Sequence, residues 1–145
     1  MKAILLAISS LSLLLAPALA GADVQLQSCR DAGVGIESLV SPIAGNSKSY
    51  FSGNVTVYNI DREEPAAASA GLAIVMSLRE GSGVTCMAIT GVSSIDINRA
   101  AVDHEPGLLL ILPYRLYDRK SGQFRDSPVP LHLRIDLANE TIALE

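Results

Sequence analysis

The chain of 145 residues contains no tryptophan and only six aromatic residues, four tyrosines and two phenylalanines. Sugar-binding clefts usually stack sugar rings on aromatic side chains, so this shortage disfavours a carbohydrate-binding module. Basic residues are also few, with eleven against fifteen acidic ones and a formal net charge of −4. An acidic protein is a poor ligand for nucleic acid or for an anionic membrane surface. The same charge favours a cationic protein partner.

Residues that carry catalysis or hold metal ions are equally scarce. Neither of the two histidines, His104 and His132, has a second histidine or a cysteine at metal-ligand spacing. No serine lies in a nucleophile-elbow context, and residues 33–35 lack the third glycine of a dinucleotide-binding loop. The acidic stretch 61–64 is more typical of a solvated loop than of a calcium site. The sequence therefore predicts no enzyme, no cofactor and no resident metal.

The N-terminus has the composition of a secretory signal peptide. Lys2 supplies the positive start, Ala3 to Leu15 the apolar region, and Ala18-Leu19-Ala20 a cleavage site of small residues. The apolar run is too short to span a bilayer comfortably, so no stable membrane anchor is expected. We expect residues 1–20 to be cleaved as a signal peptide and residues 21–145 to form one domain.

Only two cysteines are present, Cys29 and Cys86. In an exported chain such a pair favours one disulfide. The bond would close a loop of about 57 residues and stabilise the fold by about 4 kcal/mol. Two unpaired buried thiols are the alternative, because sequence alone does not show whether the two Cα atoms come within bridging distance.

Apolar runs and turn residues alternate along the mature chain as they do in β proteins. Residues 71–78 and 84–89 are apolar and are joined by a charged turn with two glycines, which predicts a hairpin at the centre of a sheet. Leu131 to Leu137 alternates apolar and polar residues, as in an antiparallel strand with one buried face. We predict an all-β, mostly antiparallel domain, either a small β-sandwich or a strongly bent sheet, with at most one or two short helical turns.

Other segments carry weaker signals. Tyr50 to Ile60 is bulky on both faces and predicts one long interior strand, with a possible bulge at Gly53-Asn54. Asn98 to His104 predicts one or two helical turns, and Arg119 to Pro128 a long polar loop. Charged loops cluster at 61–65, 79–83, 103–107 and 118–128. Loops on a β scaffold often carry function, although a merely solubilising role is an equal alternative.

Taken as a whole, the chain resembles a family of periplasmic immunity proteins of pseudomonads. The likeness covers the full length: the signal peptide, the paired cysteines, the stretch SYFSGNVTVYNIDREEPAAASAGLAIVM and the later GLLLILPYRLYD. Members of that family belong to the type VI secretion system and neutralise a secreted muramidase toxin. The resemblance implies a monomeric β-rich inhibitor that binds its cognate toxin in the periplasm and closes the groove that holds peptidoglycan.

Loop position and residue type suggest which residues would contact such a partner. The candidate anchors are aromatic residues and arginines, the residue types that dominate binding energy at protein interfaces: Tyr114, Tyr117, Arg119, Phe124 and Arg125. The acidic candidates could meet cationic groups or a metal ion bound to the toxin: Asp61, Glu63, Glu64, Glu80 and Asp126.

Two other functions compete with inhibition. A structural or pilus-associated periplasmic subunit would self-associate through an unpaired edge strand. A small hydrolase or metal-dependent enzyme would require His104 or His132, and the lack of a nucleophile–base pair makes it the weakest of the three.

Overall fold

The computed structural model describes residues 24–63, 66–78, 81, 83–104 and 107–145, so the predicted signal peptide lies outside the described residues. The strands are β1 (Gln25–Ser28), β2 (Ser47–Tyr50), β3 (Val55–Asp61), β4 (Ala70–Ser77), β5 (Val84–Val92), β6 (Ser94–Ile95), β7 (Ala101–Asp103), β8 (Leu108–Leu112), β9 (Tyr114–Asp118), β10 (Gln123–Asp126), β11 (Leu131–Asp136) and β12 (Thr141–Leu144). Among these residues, no helix is long and apolar enough to cross a membrane.

Helical structure in the described residues is limited to short 3-10 turns. They lie at Ile36–Ser38, Ile43–Gly45, Phe51–Gly53, Ala66–Ala68 and Ile97–Arg99. Every named strand pair is antiparallel. The predicted all-β, mostly antiparallel class is therefore confirmed, although these turns are more numerous than the sequence suggested.

The strands form three sheets whose orders are β1-β5-β4-β3-β2, β12-β11-β8-β7 and β10-β9-β6. The five-stranded and four-stranded sheets face each other across one apolar core. Leu72 and Ile74 enter that core from the larger sheet, and Leu110, Leu133 and Ile135 enter it from the smaller one. All five side chains are at most 1% exposed, so alternate residues of each strand build a sandwich interior.

The predicted central hairpin is confirmed. β4 lies between β5 and β3, and its pairing with β5 includes Val75 opposite Cys86 and Ala73 opposite Ala88. The register shifts between Ala70 and Leu72, which marks an irregularity at Gly71. Backbones approach closely at this point, because a Cβ atom added to Gly71 would stand 2.0 Å from the carbonyl oxygen of Ile89.

We expect Gly71→Ala to lower the free energy of unfolding by about 2 kcal/mol or more, because the new methyl group must displace backbone in a packed strand. Gly45→Ala is the matched control, since nothing lies within 4 Å of its added Cβ. That variant should stay within about 0.5 kcal/mol of the parent chain. Urea unfolding of both variants measures the difference, and equal stabilities would contradict the close approach.

Cys29 and Cys86 are bonded, with their Cα atoms 5.4 Å apart. The backbone N–H of Cys29 also donates to the carbonyl of Cys86 at 3.0 Å. The bond ties the segment after β1 onto the outer face of the five-stranded sheet, where Ala32 packs with Ile60, Ala73 and Cys29 in a second apolar cluster. Both faces of the central strands are therefore covered.

The strand predicted from Tyr50 to Ile60 is confirmed over residues 55–60, where β3 lies inside the sheet between β4 and β2, but it is wrong over residues 50–54. β2 ends at Tyr50, the chain reverses, and β3 pairs back with Val55 opposite Tyr50. The reversal uses three consecutive residues in the left-handed region, Phe51 (φ 51°), Ser52 (φ 56°) and Gly53 (φ 91°). Phenylalanine and serine rarely adopt such a backbone, so their presence gave no turn signal.

The helical prediction for Asn98 to His104 is also wrong beyond its first residues. The 3-10 turn Ile97–Arg99 is capped by Asp96, whose carboxylate accepts a hydrogen bond from the backbone N–H of Asn98 at 2.8 Å. The chain then extends into β7, with Val102 opposite Leu110 of β8. Pairing with the open edge of β8 supplies hydrogen bonds that an isolated helical turn of this length lacks.

Candidate functional site on the β9–β10 hairpin

Four of the ten residues predicted as a polar loop from Arg119 to Pro128 instead form the strand β10. β10 pairs with β9 to form a hairpin, with Phe124 opposite Tyr117 and Asp126 opposite Arg115. All four residues of β10 are exposed. The segment lacks an apolar face, which is the usual sequence signal for a strand, and its hydrogen bonds with β9 determine its conformation.

The base of this hairpin is attached to the sandwich. Tyr114 of β9 pairs with Ile95 of β6 and packs, half-buried, against the main core. The backbone N–H of Ser93, which follows β5, donates to the carbonyl of Arg115 at 2.9 Å. The 3-10 turn Ala66–Ala68 contacts β9 as well. The hairpin is therefore held at one end, and its turn, residues 119–122, points away from these attachments.

An aromatic pair lies on one face of the hairpin. The rings of Tyr117 and Phe124 have their centroids 5.3 Å apart and are tilted by 57°. Cross-strand aromatic pairs of this kind fix each other's orientation. Phe124 nevertheless remains 49% exposed. A rigid, exposed aromatic group is the kind of side chain that anchors protein interfaces.

Two ion pairs cross the hairpin. The Nε atom of Arg115 lies 3.2 Å from the Asp126 carboxylate, and that of Arg125 lies 3.4 Å from the Asp118 carboxylate. All but the Asp118 side chain are about half exposed or more, so these pairs add little to stability. Their effect is to hold four long or charged side chains in defined positions.

The arginine at position 115 also covers part of the free edge of β10. Its Nη2 group donates to the carbonyl oxygen of Phe124 at 3.0 Å, while its Nε stays beside Asp126. An open sheet edge invites another strand to pair with it, and proteins commonly block such edges with charged side chains. Arg115 therefore makes β10 a poor site for strand addition.

Asp118 organises the turn between the two strands. Its carboxylate accepts hydrogen bonds from the backbone N–H of Lys120 at 2.9 Å and from the hydroxyl of Ser121 at 2.7 Å. The turn closes at Gly122, whose φ of 68° suits glycine and whose N–H donates to the Asp118 carbonyl at 2.8 Å. The hydrogen bond from Ser121, followed by that from Lys120, lowers the pKa of Asp118, and the charge of Arg125 lowers it further.

This lowered pKa predicts a pH-dependent contribution to stability. Ionised Asp118 stabilises the folded turn, so the contribution is full above its pKa in the unfolded chain, about 3.9, and is lost as the pH falls through the lower folded value. We expect Asp118→Ala to be less stable than the parent at pH 6 and the gap to close in acid. Thermal unfolding of both chains between these conditions tests this, and a gap independent of pH would contradict it.

Six of the ten residues predicted to contact a partner lie on this hairpin: Tyr114, Tyr117, Arg119, Phe124, Arg125 and Asp126. Asp61 and Glu63 lie on a separate turn, where the Asp61 carboxylate accepts a hydrogen bond from the backbone N–H of Glu63 at 2.8 Å. The 3-10 turn Ala66–Ala68, which follows later in the chain, contacts β9. Glu64 and Glu80 lie outside the described residues.

The histidines lie on separate elements. His104 follows β7 and packs edge-on against Phe51 with ring centroids 6.4 Å apart, while His132 lies in β11 opposite Ile111. In the part of the chain that the structure describes, no three His, Cys, Asp or Glu side chains are placed to hold a metal ion.

Sequence reasoning missed Arg115 as a candidate contact. It lies two residues before Tyr117 on the same strand, so the alternation of β9 could have placed both side chains on one face.

Sequence reasoning also missed an apolar groove of about 320 Å³ on the outer face of the five-stranded sheet, lined among others by Val34, Leu39, Tyr58 and Val75. Ile36 lies at this groove and is 82% exposed.

The hairpin thus presents an exposed aromatic side chain and several cationic side chains in defined positions. The chain matches no protein-family model, no curated protein and no solved structure.

Proposed function

We propose that this protein is an immunity protein that inhibits a muramidase toxin of a type VI secretion system. It acts in the periplasm of the producing cell, as a monomer when free and without chemistry of its own. The β9–β10 hairpin enters the groove in which the toxin holds peptidoglycan, and the producing cell and its siblings are protected because substrate is kept out. The proposal starts from the sequence resemblance to such inhibitors.

The observation that carries the proposal is the hairpin itself. It gathers six of the residues expected to contact a partner, and Phe124 remains 49% exposed while it packs on the half-buried ring of Tyr117. Inhibitors that occlude a groove need stiff protrusions, because a flexible loop would lose conformational entropy on binding. The ring pair and the Asp118-centred turn supply that stiffness.

The disulfide supports export, since such bonds persist in oxidising compartments and are rare in the cytosol. It also supports a role in which the framework must stay rigid. The bond fixes the segment after β1 on the outer face of the five-stranded sheet. Ser93, which follows β5 of that sheet, hydrogen-bonds to Arg115 at the base of the hairpin. The periplasm fits both requirements.

The competing role as a structural subunit that exchanges strands finds less support. The strands at the sheet edges are short, two residues in β6, three in β7 and four each in β1, β2, β10 and β12. Short edges offer few backbone hydrogen bonds to an added strand, and Arg115 occupies one carbonyl of β10.

The proposal predicts that a secreted muramidase is encoded beside this gene, and the test is an inhibition assay with that enzyme. We expect the purified chain, residues 21–145, to abolish hydrolysis of peptidoglycan at a one-to-one ratio and to run as a monomer by light scattering when alone. In cells, a form without residues 1–20 should fail to protect although it inhibits in vitro, because it does not reach the periplasm. Full hydrolysis in the presence of excess protein would disprove the proposal.

A further inference from the structure

We propose that the turn of the β9–β10 hairpin, with Arg119 and Lys120, is a cationic tip that directs the protein into an acidic cleft of its partner. The inference rests on the proposed function and specifies which surface enters the cleft first and which charge meets it there.

Charge is distributed unevenly over the molecule. Residues 114–126 carry four cationic and two anionic side chains, a local charge of +2, on a chain whose formal charge is −4. The remainder of the chain therefore carries −6. An acidic cleft is repelled by most of this molecule and attracted by the hairpin, so approach with the hairpin in front is favoured.

The positive charge of the hairpin is concentrated at its turn. Two of its four cations, Arg115 and Arg125, are ion-paired with carboxylates of the hairpin. Arg119 and Lys120 are exposed and form no ion pair within the described chain. Both remain available to a partner.

The turn is also ordered before binding. The carboxylate of Asp118 accepts hydrogen bonds from the backbone N–H of Lys120 and from the hydroxyl of Ser121. The backbone N–H of Gly122 donates to the carbonyl of Asp118. The carboxylate of Asp118 already accepts these hydrogen bonds and pairs with Arg125. It therefore forms no ion pair with the side chains of Arg119 and Lys120. A preorganised tip loses little conformational entropy when it enters a cleft.

The chemistry of the partner matches such a tip. Enzymes that hydrolyse glycosidic bonds generally use a pair of carboxyl groups that flank the scissile bond. The negative charge of these carboxyl groups attracts a cation during approach, and the bound cation can form an ion pair with them. Electrostatic attraction of this kind acts chiefly on the association rate, which it can raise by about 10-fold to 1,000-fold at low salt.

The experiment compares two double charge reversals by stopped-flow association with the muramidase encoded beside this gene. Arg119→Glu/Lys120→Glu changes the tip, and Arg30→Glu/Arg99→Glu changes two exposed cations elsewhere. Both variants alter the formal charge by the same amount, so net charge cannot explain a difference between them. We expect the tip variant to associate at least about 10-fold more slowly than the control variant in about 0.01 M salt.

The gap should shrink as salt is raised to about 1 M, where the screening length falls to about 3 Å. The neutral variant Arg119→Gln/Lys120→Gln should lie between the parent and the reversal, and it provides the comparison if the reversal fails to fold. Equal association rates for the tip and control variants, or a gap insensitive to salt, would overturn the inference while the parent still inhibits. A parent chain that neither binds nor inhibits would instead disprove the proposed function.

Discussion

Replacing both cysteines with alanine, Cys29→Ala/Cys86→Ala, is expected to lower the free energy of unfolding by about 4 kcal/mol. The bond spans 57 residues of sequence, and closing a loop of that length removes much of the conformational freedom of the unfolded chain. For a domain of this size we expect the melting temperature to fall by about 10 to 20 °C. Unfolding by urea and by heat measures both quantities.

Reduction provides the control for this experiment. Dithiothreitol should bring the parent chain down to the stability of the double variant and should leave the variant itself unchanged. The backbone hydrogen bond from residue 29 to residue 86 needs no side chain, and Ala32, Ile60 and Ala73 of the outer apolar cluster are unchanged, so the fold should survive at room temperature. Equal unfolding midpoints for the parent and the variant would show that the bond does not constrain the unfolded chain.

Removing the aromatic pair is expected to have the largest effect on inhibition. Phe124→Ala and Tyr117→Ala should each weaken inhibition of the proposed muramidase target by about 30-fold, which corresponds to about 2 kcal/mol for a central anchor residue. The stability of Phe124→Ala should change much less, because Phe124 is 49% exposed in the free protein. Titration of peptidoglycan hydrolysis against each variant measures the inhibition constant, and circular dichroism monitors the fold.

Ile36→Ala is the matched control, because it removes an aliphatic side chain that is 82% exposed on a different surface, the apolar groove of the five-stranded sheet. It should leave inhibition unchanged. If Ile36→Ala weakened inhibition and the hairpin variants retained it, the binding surface would lie at the apolar groove. That result would contradict the role given to the hairpin.

Much of the framework could be predicted from local pattern. The alternation from Leu131 to Leu137 predicted a strand with one buried face, and Leu133 and Ile135 are fully buried in β11. The apolar arms on either side of the glycine-containing turn predicted the β4–β5 hairpin. These signals are reliable because strand side chains alternate between faces, so burial leaves a period of two in the sequence.

The errors have a common origin. Phe51 and Ser52 adopt a left-handed backbone that neither of these residue types favours, and residues 101–103 extend because β8 offers an edge with which to pair. β10 is exposed on both faces and leaves no hydrophobic period. In each case the conformation depends on a neighbour that is distant in sequence or on hydrogen bonds that local composition does not encode.

The sequence by itself determined an all-β framework, two cysteines able to form a disulfide within it, and a set of aromatic and charged residues in the segments that connect its apolar strands. Only the tertiary structure decided that six of those residues share one hairpin, that Tyr117 packs on Phe124, and that Arg115 spans β10 while Arg119 and Lys120 stay unpaired within the described chain. The physical reason is that burial leaves a periodic trace in sequence, whereas cross-strand register, which decides which side chains meet, is set by hydrogen bonds between segments.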